Sequence, residues 1–335
     1  MTGATPAEIR AAAGWLAAGG VVALPTETVY GLGADATSPA AIAAIFGLKG
    51  RPADHPLIVH IGAGADVSPW VTEVPATARR LMRAFWPGPL TLILPRSARI
   101  PGQVTGGQPT VGLRCPDHPV AQALLAAFAA TGSGLIAAPS ANRFGHVSPT
   151  TAQHVRDEFG ADVGPVIRLL DGGPCRVGIE STIVDVSGPQ PVLLRPGSIG
   201  RDALAAAAGV PVVLAADTAR ALPRTPGLLA AHYAPRTPLR LLAAAELAAA
   251  VDHGRQRGQR LAVLAFGPDP CRREVAWRRA PVTAAAYAHD LYASLRELDA
   301  ANAVVILVEE PPAGPEWLAV RDRLGRAQAA SADGT

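Results

Sequence analysis

Eight short apolar runs fall between residues 21 and 195, and half of them stop on proline or arginine. They read VVALP (21–25), LIVHI (57–61), LTLIL (90–94), VGLR (111–114), LIAAP (135–139), VIRLL (166–170), STIVDV (181–186) and VLLR (192–195). Runs of this length, rich in Val, Leu and Ile and bounded by turn residues, predict β-strands. Helical patterns fit residues 38–48, 75–85, 117–130 and 149–158 between them. The first has Ser38 as its N-cap, Pro39 at its first position, and Ile42, Ile45 and Phe46 on one face. Some strands follow one another with no helix between, so the sheet is expected to be mixed rather than purely parallel.

Near residue 206 the pattern changes. Alanine-rich sequence leads into RALPRTPGLLAAHYAPRTP, whose prolines at 223, 226, 235 and 238 make a stiff connecting segment. Beyond it come LRLL, a helical stretch 243–257, RLAVLAF (260–266), a long helix within 283–300, AVVILVE (303–309) and a closing helix near 316–329. That alternation predicts a small, parallel, doubly wound sheet. The expected organisation is therefore α/β throughout: a domain over 1–205, a linker over 206–238 and a Rossmann-like domain over 239–335. The last residues, SADGT, are expected to fray.

Bulk composition narrows the function. A chain of 335 residues can bury two cores, and 49% apolar with 4% aromatic content makes those cores aliphatic. A net charge of +3 permits a polyanionic partner without arguing for one. Cys115, Cys175 and Cys271 are far apart and lack metal spacing, which predicts no metal site and a reducing compartment. No uncharged apolar run is long enough to span a bilayer, and the first residues carry Glu8 and Arg10 inside an amphipathic pattern. The expectation is a cytoplasmic protein with no membrane partner.

One lysine, Lys49, stands in a chain whose other cations of this type are all arginine. Lysine is a compact point charge and arginine a planar fork, so the two are not interchangeable. With Arg51 and His55 it occupies a proline-stiffened loop, GLKGRPADHP. Read as an extended segment, the loop would point Lys49 and Arg51 the same way, able to clamp a polyphosphate, or would be a solvated turn. PTETVYGLGADA (25–36) offers Thr26, Thr28 and Tyr30 hydroxyls and two glycines in what reads as a polar loop, but no dinucleotide or Walker fingerprint. APSANRFGHVSPT (138–150) places Ser140 and Asn142 one residue apart. Ser148 and Pro149 then open a helix, which makes either an anion site or an ordinary N-cap.

Arg114 and Arg195 each end a strand, and Glu180, Ser181 and Thr182 start one. An arginine ending an apolar run needs an anion, either a bound ligand or an internal carboxylate such as Asp171 or Asp185. Hydroxyls and cations at successive strand ends, without paired acids or a Ser-His-Asp order, suit phosphates and a small carboxylate rather than hydrolysis.

PTETVYGLG, KGRP..HPLIVHI, WPGPLT, VGLRCP, APSAN…SPT, GIESTIVD and LRPG, in this order and spacing, resemble the YrdC-like family. With the linker motif HYAP (232–235) and a second domain, the chain resembles its long form, the threonylcarbamoyl-AMP synthases. The resemblance implies a twisted open mixed sheet with helices around a concave pocket. It implies a nucleotidyltransferase that makes L-threonylcarbamoyl-AMP and pyrophosphate from L-threonine, bicarbonate or CO2, and ATP with Mg²⁺. The product would pass to a tRNA threonylcarbamoyltransferase acting on adenosine 37, with weak tRNA contact left open.

The resemblance places the catalytic set on Lys49, Arg51, Ser140 and Asn142. It places L-threonine contacts at Thr28, His60, Arg114, Ala138 and Ser181. No general base is evident from the residues or the resemblance, and His60 is named only as a guess at one. ATP contacts fall on Arg51, His55, Thr110, Ser140, Ser148, Arg195 and Tyr233, the last in a linker that could act as a lid. Two departures stand out: RFGH follows Asn142 where the family has a small Ser-Gly pair, and LLAA precedes HYAP where the family has basic residues. An RNA-binding module and a carbamoyl-phosphate-dependent carbamoyltransferase are the competing readings.

Overall fold

The computed structural model describes residues 3–268 and 275–332, so Cys271 lies outside the described residues. Two compact units form. One takes the chain up to Phe144 together with Pro149–Leu228; the other takes Gly145–Ser148 together with the chain from Leu229 onward.

In the first unit the order is α1 (Pro6–Ala17), β1 (Val21–Leu24), β2 (Gly31–Asp35), α2 (Pro39–Lys49), β3 (Ile58–His60), α3 (Ala76–Phe85), β4 (Leu90–Pro95), α4 (Gly102–Thr105), β5 (Thr110–Arg114), α5 (Pro119–Ala129), β6 (Ile136–Ala137), α6 (Ala152–Phe159), β7 (Ile167–Leu169), β8 (Thr182–Asp185), β9 (Val192–Arg195), α7 (Arg201–Ala208) and β10 (Val213–Leu214). The strands make one mixed sheet in the order β10-β9-β8-β4-β5-β3-β6-β2-β1-β7. As expected, Ser38 caps α2, accepting from Ala41 N, with Pro39 in the first turn.

Three expectations change. PTETVYGLGADA is only partly loop: Gly31–Asp35 form β2, antiparallel to β1 and β6 and fully inside the sheet. Its small, β-poor residues hide the strand from propensity, since burial between two neighbours decides it. Lys49 closes α2, and Gly50 follows in the left-handed conformation at φ 61°, so Lys49 and Arg51 do not share an extended segment. A left-handed residue just past the last turn is how many helices end, and glycine takes it without strain. Finally, α6 begins at Ala152, not at Ser148–Pro149, because Thr151 caps it by accepting from His154 N.

Alternation along the central strands sorts two faces. Val59, Leu92, Leu94, Val111 and Leu113 point into a core with Ile42 and Phe46 of α2, Leu81 of α3 and Leu204 of α7. The intervening residues must face the other way. There Ile58, Ile93, Ile183, Val192 and Leu194 form a second cluster, covered by Leu222 and Leu228 of the connecting segment.

In the second unit β11 (Leu239–Leu242), α8 (Ala244–Gln256), β12 (Leu261–Ala265), β13 (Val275–Arg279), α9 (Ala284–Asp299), β14 (Val305–Glu309) and α10 (Leu318–Ala332) follow in sequence. Every strand pairing is parallel, in the order β11-β14-β12-β13. The doubly wound expectation holds with one strand added, β13, whose Trp-Arg-Arg composition concealed it. Ser331 lies within α10, and its hydroxyl accepts from Leu239 N at 2.9 Å, so the fraying expected from SADGT does not begin at Ser331; residues 333–335 lie outside the described residues. No helix among the described residues is long and apolar enough to cross a membrane.

Candidate active site

The pairing register builds a row of functional side chains across the face opposite the core that α2, α3 and α7 cover. His60 of β3 pairs with Arg114 of β5, Arg114 with Thr91 of β4, and Thr91 with Ile183 of β8. Side chains of directly paired residues lie on one face. Between Ile183 and Val184 the register slips by one residue of β9, so Arg195 comes to stand opposite Ile183. Such a bulge re-aims a side chain. Arg195 then donates from Nε and Nη2 to Ser181 O, from Nη2 to Ser181 Oγ at 3.1 Å, and from Nη1 to Pro226 O at 2.9 Å. Ser181 Oγ also lies 2.7 Å from Thr91 Oγ1.

Arg114 has a buried partner that the sequence reading missed: Glu27 Oε1 sits 2.7 Å from its Nη2. The contact is a buried ion pair. Glu27 Oε2 accepts from Asp117 N at 3.0 Å. The carboxylates considered from sequence are engaged elsewhere: Asp185 pairs with Arg220, and Asp171 accepts from Tyr30 and lies near Arg156. Arg114 Nε and His60 Nδ1 are buried with no hydrogen-bond partner among the described residues. Burial, and then the charge of Arg114, push the His60 imidazole down to about 3, so the ring is neutral near pH 7.

Beside this row, Thr28 is fully buried and its hydroxyl lies 2.8 Å from Thr26 Oγ1, whose own bond to Val29 O closes the turn. Ala138 N donates to Ile58 O, tying the start of the 138–144 loop to β3. Thr110 lines a narrow hollow with Ile58, Ile93, Gly112, Thr225 and Pro226.

A second group gathers around the end of α2. Lys49 is buried, and its ammonium donates to Ser140 O at 2.7 Å and to Asn142 O. Burial, reinforced by the nearby Arg51 charge, holds its pKa well below the ordinary lysine value. Arg51 donates to Pro56 O at 2.9 Å. Phe144, the first of the departures from the family pattern, lies edge-on to His55 at 5.3 Å and under the Arg51 guanidinium at 5.7 Å. Burial, and then Arg51, lower the His55 pKa. The two groups are joined by the segment that runs from Pro56 into β3 and ends at His60, roughly 13 Å long at full extension.

Ser148 and Tyr233 belong to the second unit. Tyr233 is buried, takes φ 62°, stacks on Tyr292 at 5.8 Å and lies beneath the Arg323 guanidinium at 5.3 Å. Ala234 N donates to Gly145 O, and Arg296 donates to Val147 O. Where LLAA replaces the family's basic residues, Arg326 of α10 flanks the segment, donating to Leu229 O and accepting from His232 N.

Comparison with known proteins fits both units. A family model described as "Telomere recombination" (Sua5_yciO_yrdC) matches residues 15–197, and one described as "Threonylcarbamoyl-AMP synthase, C-terminal domain" matches residues 199–329. The threonylcarbamoyl-AMP synthase of Pyrococcus abyssi is 38% identical over 332 residues, covering 96% of this chain and 94% of its own. That of Bacillus subtilis is also 38% identical, covering 96% and 92%. The crystal structure of P. abyssi Sua5 complexed with L-threonine superposes with a TM-score of 0.87 at 35% identity, covering 98% of this chain and 96% of that one.

Fold and matches together define a YrdC-type α/β domain followed by a Sua5-type C-terminal domain. The chain belongs to the threonylcarbamoyl-AMP synthase family, nucleotidyltransferase-type enzymes that use ATP.

Proposed function

We propose that the protein joins L-threonine, bicarbonate or CO2, and ATP into L-threonylcarbamoyl-AMP and pyrophosphate, and that the product is handed to a tRNA threonylcarbamoyltransferase. The observation carrying the reading is the row on β3, β5 and β4. It offers a buried guanidinium whose Nε–H has no hydrogen-bond partner among the described residues, a neutral imidazole and the Thr91 hydroxyl side by side on one face, with the Ser181 hydroxyl bonded to Thr91. Those groups suit an amino acid carboxylate, amine and hydroxyl.

In this reading Arg114 takes the threonine carboxylate, while Thr28, Ser181, His60 and the Ala138 main chain orient the amine and hydroxyl. Arg51, His55, Thr110, Ser140, Ser148, Arg195 and Tyr233 serve ATP. The threonine amine attacks CO2, and the carbamate oxygen displaces pyrophosphate at the α-phosphorus. The protein's contribution is positioning, charge compensation and exclusion of water from a short-lived carbamate. Lys49 acts by shaping the Ser140–Asn142 loop, since its ammonium is spent on main-chain carbonyls.

Among the described residues no group of three or more His, Cys, Asp or Glu could hold a metal ion. Mg²⁺ is therefore assigned to the triphosphate rather than to a protein cage, which is how this ion is usually carried. Pyrophosphate release that requires threonine, bicarbonate and ATP together tests the proposal; release in the absence of either threonine or bicarbonate overturns it.

A further inference from the structure

Glu27 stands outside the residues to which the family resemblance points, yet it is the ion-pair partner of Arg114 among the described residues, and both are buried. Asp117, the nearest acid along the chain from Arg114, turns to solvent and pairs with Arg176 at 2.5 Å. His60, alongside Arg114, is held neutral. Around Arg114 itself the charges balance, one guanidinium against the Glu27 carboxylate with a neutral ring beside them, while the other buried arginine of the row, Arg195, is engaged with Ser181 and Pro226 O.

That balance has a consequence for what can bind. A ligand bearing only a carboxylate would set a second negative charge on an arginine that Glu27 already neutralises, in a poorly solvated place, which is costly. A ligand bearing a carboxylate and an ammonium adds no net charge. We propose that Glu27 is a specificity-determining residue, making the pocket select a zwitterionic amino acid over the same carbon skeleton with a carboxylate alone. The proposal rests on the reading of Arg114 as the carboxylate partner of L-threonine. A purely structural role is separable, because a glutamine at this position can still accept from Asp117 N, the bond that ties the loops together.

The experiment is calorimetric titration of the full chain with L-threonine and with its desamino analogue, 3-hydroxybutyrate, in the wild type and in Glu27→Gln, with thermal melts to confirm folding. Wild type should prefer threonine by about 100-fold, and Glu27→Gln should cut that ratio by at least about tenfold, weakening threonine and tightening the analogue. An unchanged ratio in a folded variant overturns the proposal. So does a wild-type protein that binds 3-hydroxybutyrate as tightly as threonine, a result that needs no variant. Wild type that binds neither ligand overturns the underlying reading of the site, which is a different result from binding both alike.

Discussion

Lys49 Nζ donates to the main-chain oxygen of Ser140 at 2.7 Å, so the last residue of α2 fixes the loop that follows β6. Asn142 O accepts from the same ammonium, and Phe144 N returns a bond to Lys49 O. Three main-chain groups of one loop are thus ordered by a single residue. A tetrahedral ammonium reaches two carbonyls from a compact centre, whereas a guanidinium is planar and larger. This is a physical reason for the only lysine in the sequence.

Lys49→Arg is therefore expected to cost at least about tenfold in threonine-dependent pyrophosphate release, and about 1–3 kcal/mol of stability from overpacking. Steady-state kinetics and denaturant melts on the same preparation check it. A variant of wild-type activity would remove the loop from the mechanism.

Thr91 of β4 and Ser181, the residue just before β8, share a hydrogen bond, and both are buried. Thr91→Val keeps the shape and removes the hydroxyl, which takes away one partner of Ser181 Oγ. The expected result is a rise of about tenfold in KM for threonine, the scale of one lost hydrogen bond, with KM for ATP unchanged. Equal rises in both would show a general loss of structure instead.

How much of this was legible beforehand depended on what each residue does. The eight apolar runs announced their strands because their side chains carry the propensity. The β2 strand did not, because Gly31, Gly33 and Ala34 are strand residues only through their neighbours in the sheet. Arg114 could be named from its place at a strand end, but its partner Glu27 lies on a different loop, and nothing in the spacing joins them. Thr91 looked like any β-branched strand residue until the register set it beside Arg114 and Ser181. Sequence displayed the cations and hydroxyls; pairing register and burial decided which of them met.

Breaking the Glu27–Arg114 pair from one side should be costly in stability. Arg114→Met leaves Glu27 buried without its counter-charge, for which about 3–5 kcal/mol is expected. Adding Glu27→Gln to that variant removes the stranded charge and should recover part of the loss. Urea melts of wild type, both single variants and the double variant measure the coupling. Strict additivity would mean that the two side chains do not interact.

His60 gives a pH dependence whose sign follows from its burial. Its pKa falls from the ordinary 6.5 to about 3, with Arg114 adding to the effect of desolvation. Between those values the unfolded chain binds a proton that the folded chain refuses, so stability must fall as pH falls. The contribution is complete above about pH 6.5 and disappears as pH drops through about 3. At about 1.4 kcal/mol per unit, the ceiling is on the order of 5 kcal/mol, lowered by any water that reaches the ring on acidification. His60→Gln, which cannot titrate, should flatten the slope of stability between pH 6 and 4 relative to wild type. Because the ring stays neutral from pH 6 to 8, the activity profile over that range should show no inflection belonging to His60. Parallel slopes in the two proteins would mean that the imidazole is accessible to protons in the folded state.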